Sequence, residues 1–198
     1  PSEVLLCYRR EGRHLRLGAG ELRGPRPTVL LGCRPCDAAA LPILDRLFET
    51  DPIDERWRAR RAATTVLTIA CTDCDASCFC TAIGLGPDCP QGSDMLLVPI
   101  AADAWAAEAI TDKGRALLEG HRELFEQQDA GSARSSACCN ALARLPRPLD
   151  LGRVKEWLDT HFDDRPYWEE AAFPCLGCGC CTFLCPTCHC FDIVDEAT

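Results

Sequence analysis

"TTVLTIACTDCDASCFC", residues 64–80, sets the architecture. Its first seven positions are β-branched or apolar without alternation, the pattern of a strand buried on both faces of a parallel sheet. The run stops at Ala70, and Cys71, Cys74, Cys78 and Cys80 follow within ten residues. A buried strand that empties into a group of thiols suits an open α/β sheet, which places its ligands beyond the carboxyl ends of its strands.

On the N-terminal side, "TVLLG" (28–32) reads as an earlier strand, followed by "CRPCD" and then "AAALPILDRLF". In the latter, Leu41, Leu44, Leu47 and Phe48 share one helical face. Asp37 is the expected N-cap, and Pro42 is tolerable only near the first turn. "DMLLVPI" (94–100) reads as a third strand, and "AWAAEAIT" is ambiguous between strand and helix. "KGRALLEGHRELFEQQ" (113–128) reads as a helix with a stripe of Leu117, His121, Leu124 and Phe125, which makes His121 a partly buried residue with a partner. Strand and helix in alternation predict an α/β domain over residues 1–130, with a small mixed or parallel sheet. Cys33 and Cys36, like Cys71 to Cys80, lie just past a strand end, so the sheet edge would bring Cys36 to the second group.

Residues 131–149, around "GSARSSACCNALARLPRP", read as a linker, with Cys138 and Cys139 as free thiols. Residues 150–198 read as a short helical, ferredoxin-like segment. Asp150 is expected to cap "LGRVKEWLDTHF", with Val154, Trp157, Leu158 and Phe162 near one face. A second helix starts at Pro166. A segment this small depends on a metal or a partner for its stability.

Composition narrows the function. The net charge of −9 over 198 residues argues against nucleic-acid binding. The most apolar run, 95–110, is broken by Pro99, Asp103 and Glu108, so no membrane span is expected. The first twenty residues hold four arginines but no apolar block before a cleavage site, so no signal peptide is expected. Seventeen cysteines are bunched rather than spread, and their number is odd. Metal binding in a reducing cytoplasm fits this better than a disulfide framework.

The densest group is "CLGCGCCTFLCPTCHC" (175–190). Cys175, Cys178, Cys181 and Cys185, followed by Pro186, match the bacterial ferredoxin spacing, whereas zinc favours two separated pairs. Gly177 and Gly179 let the backbone turn tightly and offer N–H groups to the sulfurs. In two-cluster ferredoxins the fourth cysteine of such a run serves the other cluster. Here no second run exists, so Cys188 or Cys190 is a possible substitute for Cys185. The abrupt end in "FDIVDEAT" and a first residue other than Met lead to the expectation of a truncated chain. His189 reads as a surface imidazole near the cluster rather than a Rieske ligand.

The first-half set, Cys33, Cys36, Cys71, Cys74, Cys78, Cys80 and Cys89, has a less specific spacing that leaves zinc open. Gly84 and Gly86 could bring backbone amides to a cluster. The alternative of a phosphate loop lacks its lysine and following helix, and no bound flavin or nucleotide is expected.

Taken in order, "GCRPCDAAALPILDRLF", "TTVLTIACTDCDASCFCTAIGLGP", "GSDMLLVPI" and "CLGCGCCTFLCPTCHCFDIVDE" resemble the iron–sulfur family that holds the sulfhydrogenase beta subunit together with its counterpart in anaerobic sulfite reductase. The resemblance implies a 4Fe-4S electron-transfer subunit of an anaerobic complex. It would link a flavin-containing, NAD(P)H-handling subunit to a catalytic oxidoreductase subunit. It implies an N-terminal cluster on Cys36, Cys71, Cys78 and Cys80, with Cys74 a possible substitute, and two [4Fe-4S] clusters in this chain. It also implies a second ferredoxin-type motif downstream, which is absent here. Cys7, Cys33, Cys89, Cys138 and Cys139 receive no role, and no catalytic residue is indicated. Two other readings compete: a zinc-stapled interaction module, and a CCG-type disulfide reductase suggested by Cys138–Cys139, although Asn140 stands where that motif needs glycine.

Overall fold

The computed structural model describes residues 4, 7–18, 24–129, 131–147, 149–190 and 194. The larger sheet has four strands in spatial order β3-β4-β5-β6. Strands β3 (Thr28–Cys33), β4 (Thr64–Ile69) and β5 (Met95–Ala101) run parallel, and β6 (Ala104–Ala109) returns antiparallel to β5. This is the mixed α/β sheet expected. The ambiguous "AWAAEAIT" is a strand because a two-residue turn at 102–103 folds it directly back on β5. A separate antiparallel hairpin, β1 (Cys7–Glu11) with β2 (His14–Gly18), is exposed throughout, and no sequence pattern announced it.

The core follows from β4 and β5. Val66 and Thr68 of β4 and Met95, Leu96 and Val98 of β5 are essentially inaccessible to solvent. The Thr68 hydroxyl satisfies itself on that of Ser93. Asp94 ties the start of β5 to its neighbours: its carboxylate accepts the Val66 N–H at 2.8 Å and the Thr111 hydroxyl at 2.5 Å. Its carbonyl accepts the Ile110 and Thr111 N–H groups. Buried polar atoms are thus paired, as stability requires.

Between β3 and β4 run α1 (Pro35–Ala38), α2 (Leu41–Phe48) and α3 (Glu55–Ala63). Asp37 lies inside α1 rather than capping a helix; the residue at the N-cap of α2 is Ala40, and Pro42 sits in the first turn. Leu44 is buried, but Leu47 is 42% exposed, so the expected apolar face is only partly covered. Helix α3 was not anticipated, because its arginines hide any stripe. It starts on Asp54, whose carboxylate accepts the Arg56 and Trp57 N–H groups.

The expected helix 113–128 is shorter. α4 (Asp112–Gly120) ends at Gly120, and a single 3₁₀ turn, Arg122–Leu124, follows. His121 and Leu124 are exposed, so the stripe continues into solvent and His121 is not a partly buried residue. The stretch read as a linker carries α5 (Gly131–Leu142), packed on β5. Its small residues allow close approach to the sheet. Ala137 and Cys138 pack against Ala70, Leu96 and Val98, so Cys138 is a packed side chain rather than a free linker thiol.

The C-terminal part holds α6 (Val154–His161), α7 (Arg165–Ala172) and α8 (Cys180–Leu184). Asp150 does not cap α6: its carboxylate accepts the Gly152 N–H, and Arg153 occupies the N-cap position. Asp164 caps α7 through the Tyr167 N–H, with Pro166 in the first turn as expected. Trp157 stacks on His161 and meets Tyr167 edge-on. Most of "FDIVDEAT", on which the expectation of truncation rests, lies outside the described residues. Among the described residues no helix is long and apolar enough to cross a membrane.

Candidate metal centre

Because β3 and β4 are parallel neighbours, Cys33 and Cys71 leave the sheet at the same edge. Gly32, at φ +92°, marks a register shift at the end of β3. That backbone conformation suits glycine, and it turns the chain into Pro35 and α1, which carries Cys36. On the next strand, the Cys71 N–H donates to the Pro87 carbonyl at 2.8 Å, anchoring the start of the 71–80 loop. A 3₁₀ turn over Cys80–Ile83 closes that loop, with Gly84 left-handed behind it.

The thiols there sense one another. The Cys71 and Cys74 sulfurs are 3.9 Å apart. Burial, the Cys71 hydrogen bond and the charges of Cys71, Cys78 and Cys80 push the Cys74 thiol up to about 11. Burial, Asp37 and Cys80 raise Cys36, and burial foremost raises Cys80. Mutual repulsion of this kind is what a cation or cluster among thiolates relieves. The Asp75 N–H points to the Cys78 sulfur at 3.3 Å. Arg34, unnoticed in the sequence, reaches the Cys71 sulfur with Nη1 at 3.8 Å. The Gly84 N–H is spent on the Thr81 carbonyl, and the Gly86 carbonyl accepts from Cys89.

The second group is exposed. The Gly177 N–H donates to the Cys175 sulfur at 3.4 Å. Gly177 and Gly179 are both left-handed, and Gly179 forms the N-cap of α8. An open cleft is lined in part by Cys178, Cys180, Cys188 and Cys190. Hydrogen bonds from Thr187 and Cys188 lower the Cys185 thiol to about 7. Cys185, Cys190 and Cys181 in turn raise Cys188. His189 is exposed and meets the ring of Phe48, the last residue of α2, edge-on at 5.9 Å.

None of the seventeen cysteines forms a disulfide. Among the described residues no three Cys, His, Asp or Glu side chains converge into a ready metal-holding group. The donor chemistry nonetheless fits an iron–sulfur cluster: both groups offer soft thiol ligands in numbers above four, with backbone N–H groups already aimed at sulfur.

Over 178 residues the chain is 29% identical to sulfhydrogenase 2 subunit beta of Pyrococcus furiosus, a match covering 88% of this chain and 52% of that protein. Over most of its length the chain is similar to the sulfhydrogenase beta subunit. The family resemblance carried by the motifs is thereby borne out. The chain spans about half the length of the curated relative it matches. No family model matches it, and no solved structure matches it significantly.

Proposed function

We propose that the chain is an iron–sulfur electron-transfer subunit of an anaerobic, cytoplasmic, multi-subunit oxidoreductase. It would relay electrons between a flavin-containing subunit that handles NAD(P)H and a catalytic subunit of hydrogenase, sulfur reductase or sulfite reductase type. What supports this reading is the crowding of Cys71, Cys74, Cys78 and Cys80 in the loop after β4, with Cys36 near enough to Cys80 to feel its charge, in a chain similar to a sulfhydrogenase subunit.

In this reading Cys36, Cys71, Cys78 and Cys80 hold the N-terminal cluster, with Cys74 able to replace one of them. Cys175, Cys178, Cys181 and Cys185 hold the C-terminal cluster, with Cys188 and Cys190 as substitutes. Residues 1–130 and 150–198 are the two functional units. A [4Fe-4S] cluster supplies one-electron carriage when bound. The protein's own residues fix the thiolates, turn the backbone at Gly177 and Gly179, and direct the Asp75 and Gly177 N–H groups at sulfur.

The test is iron, zinc and acid-labile sulfide on anaerobically prepared protein, with EPR after dithionite reduction. Iron matched by sulfide, with a reduced-cubane signal that Cys178→Ser diminishes, supports the reading. Zinc without sulfide would replace it with a zinc-stapled scaffold.

A further inference from the structure

We propose that Arg34 sets the reduction potential of the N-terminal site by holding its guanidinium against the sulfur of Cys71. The inference rests on the iron–sulfur reading above and adds a residue that is not a ligand.

Arg34 is unusually well placed for this. It follows the register shift at Gly32 and precedes Pro35, and its backbone is extended, at φ −77° and ψ 154°. Its carbonyl accepts the N–H groups of Asp37 and Ala38, both at 3.0 Å, so the first turn of α1 pins its main chain. From that fixed origin the side chain crosses to the end of the neighbouring strand, and Nη1 lies 3.8 Å from the Cys71 sulfur, thirty-seven residues away in sequence.

The other charges near the site are few. Asp37 on α1 faces Cys33 and Cys36 and acts in the opposite sense. Asp73 and Asp75 lie within the loop, the Asp73 carbonyl 3.3 Å from the Cys71 sulfur, and Arg144 contacts the Thr72 carbonyl rather than a sulfur. Reduction adds one negative charge to the site. A permanent cation at hydrogen-bonding range of one ligand sulfur favours that charge, and an arginine stays protonated throughout. Arg34 therefore raises the potential, and Asp75 tempers it.

The experiment is an EPR-monitored potentiometric titration of the full anaerobic chain, with iron and sulfide counted in each sample. Arg34→Gln is expected to retain iron and to lower the reduced-to-oxidised ratio of the N-terminal site about tenfold at fixed potential, roughly 60 mV for a one-electron couple. Arg34→Lys should recover most of that shift, and the C-terminal site should not move. An unchanged potential in an iron-loaded Arg34→Gln protein overturns the role of Arg34 while leaving the iron–sulfur reading intact. Wild-type protein without iron and sulfide overturns both. If Arg34→Gln fails to load, Arg34→Met, which keeps the side-chain length without the charge, decides: a lowered potential supports the electrostatic role, and an unchanged potential overturns it.

Discussion

The sulfur of Cys74 stands 3.9 Å from that of Cys71, within the loop that follows β4. That separation lets either sulfur reach the other's place, so that one can take over from the other as a ligand. Cys74→Ser is expected to keep full iron and sulfide. Cys71→Ser should keep a substantial fraction, and the double variant should lose the N-terminal site entirely. Metal analysis of the three proteins checks this; additive partial losses would show that both thiols bind at once.

Thiol reactivity separates the two groups in metal-free protein. Cys185 is lowered to about 7 by Thr187 and Cys188, whereas Cys74 is raised to about 11. At pH 7 about half of Cys185 is thiolate, against on the order of one part in ten thousand of Cys74. The weaker intrinsic nucleophilicity of the lower-pKa thiolate offsets part of this gap. Iodoacetamide should therefore label Cys185 about a hundredfold faster at pH 7, with the gap closing near about pH 9 and reversing above it. Mass-spectrometric labelling kinetics give the comparison.

Gly92 supports the N-terminal site from below. Its φ is +81°, and a Cβ there would lie 1.9 Å from the Ala38 carbonyl oxygen. Ala38 belongs to α1, two residues after Cys36, so Gly92→Ala must displace the helix that carries that cysteine. The variant should lose about 2–4 kcal/mol of stability and most of the iron of the N-terminal site. Gly24→Ala, with open space around it, should do neither. Denaturation midpoints and iron content distinguish the two.

Asp94 tests the scaffold apart from the chemistry. Its carboxylate satisfies the buried Val66 N–H and the Thr111 hydroxyl. Asp94→Ala leaves both without their partner and should cost about 3 kcal/mol in urea unfolding. Folded protein should still bind iron in the wild-type ratio to sulfide. Loss of iron without loss of stability would mean that Asp94 acts on the site directly.

The local part of this protein was legible from its sequence. β3, β4 and β5 fall where apolar runs predicted them; β4 and β5 are largely covered, as inner strands of a parallel sheet are, whereas the edge strand β3 leaves Val29, Leu30 and Leu31 exposed. Pro166 opens a helix, and the glycines between Cys175 and Cys181 turn left-handed, as short-range sterics require. Such signals reach only a few residues. α3 and α5 escaped notice because arginines in one and small polar residues in the other leave no apolar stripe, and their partners lie far along the chain. His121 read as a partly buried residue because periodicity alone cannot say whether an element exists to cover it. The approach of Arg34 to Cys71 and the shared charge of Cys36 and Cys80 depend on the β3–β4 register and the turn at Gly32. Local residue order was enough to place the strands and to crowd thiols at their ends. Which thiols and charges meet was left to tertiary packing, since pairing strands sets distances across dozens of residues that no local preference encodes.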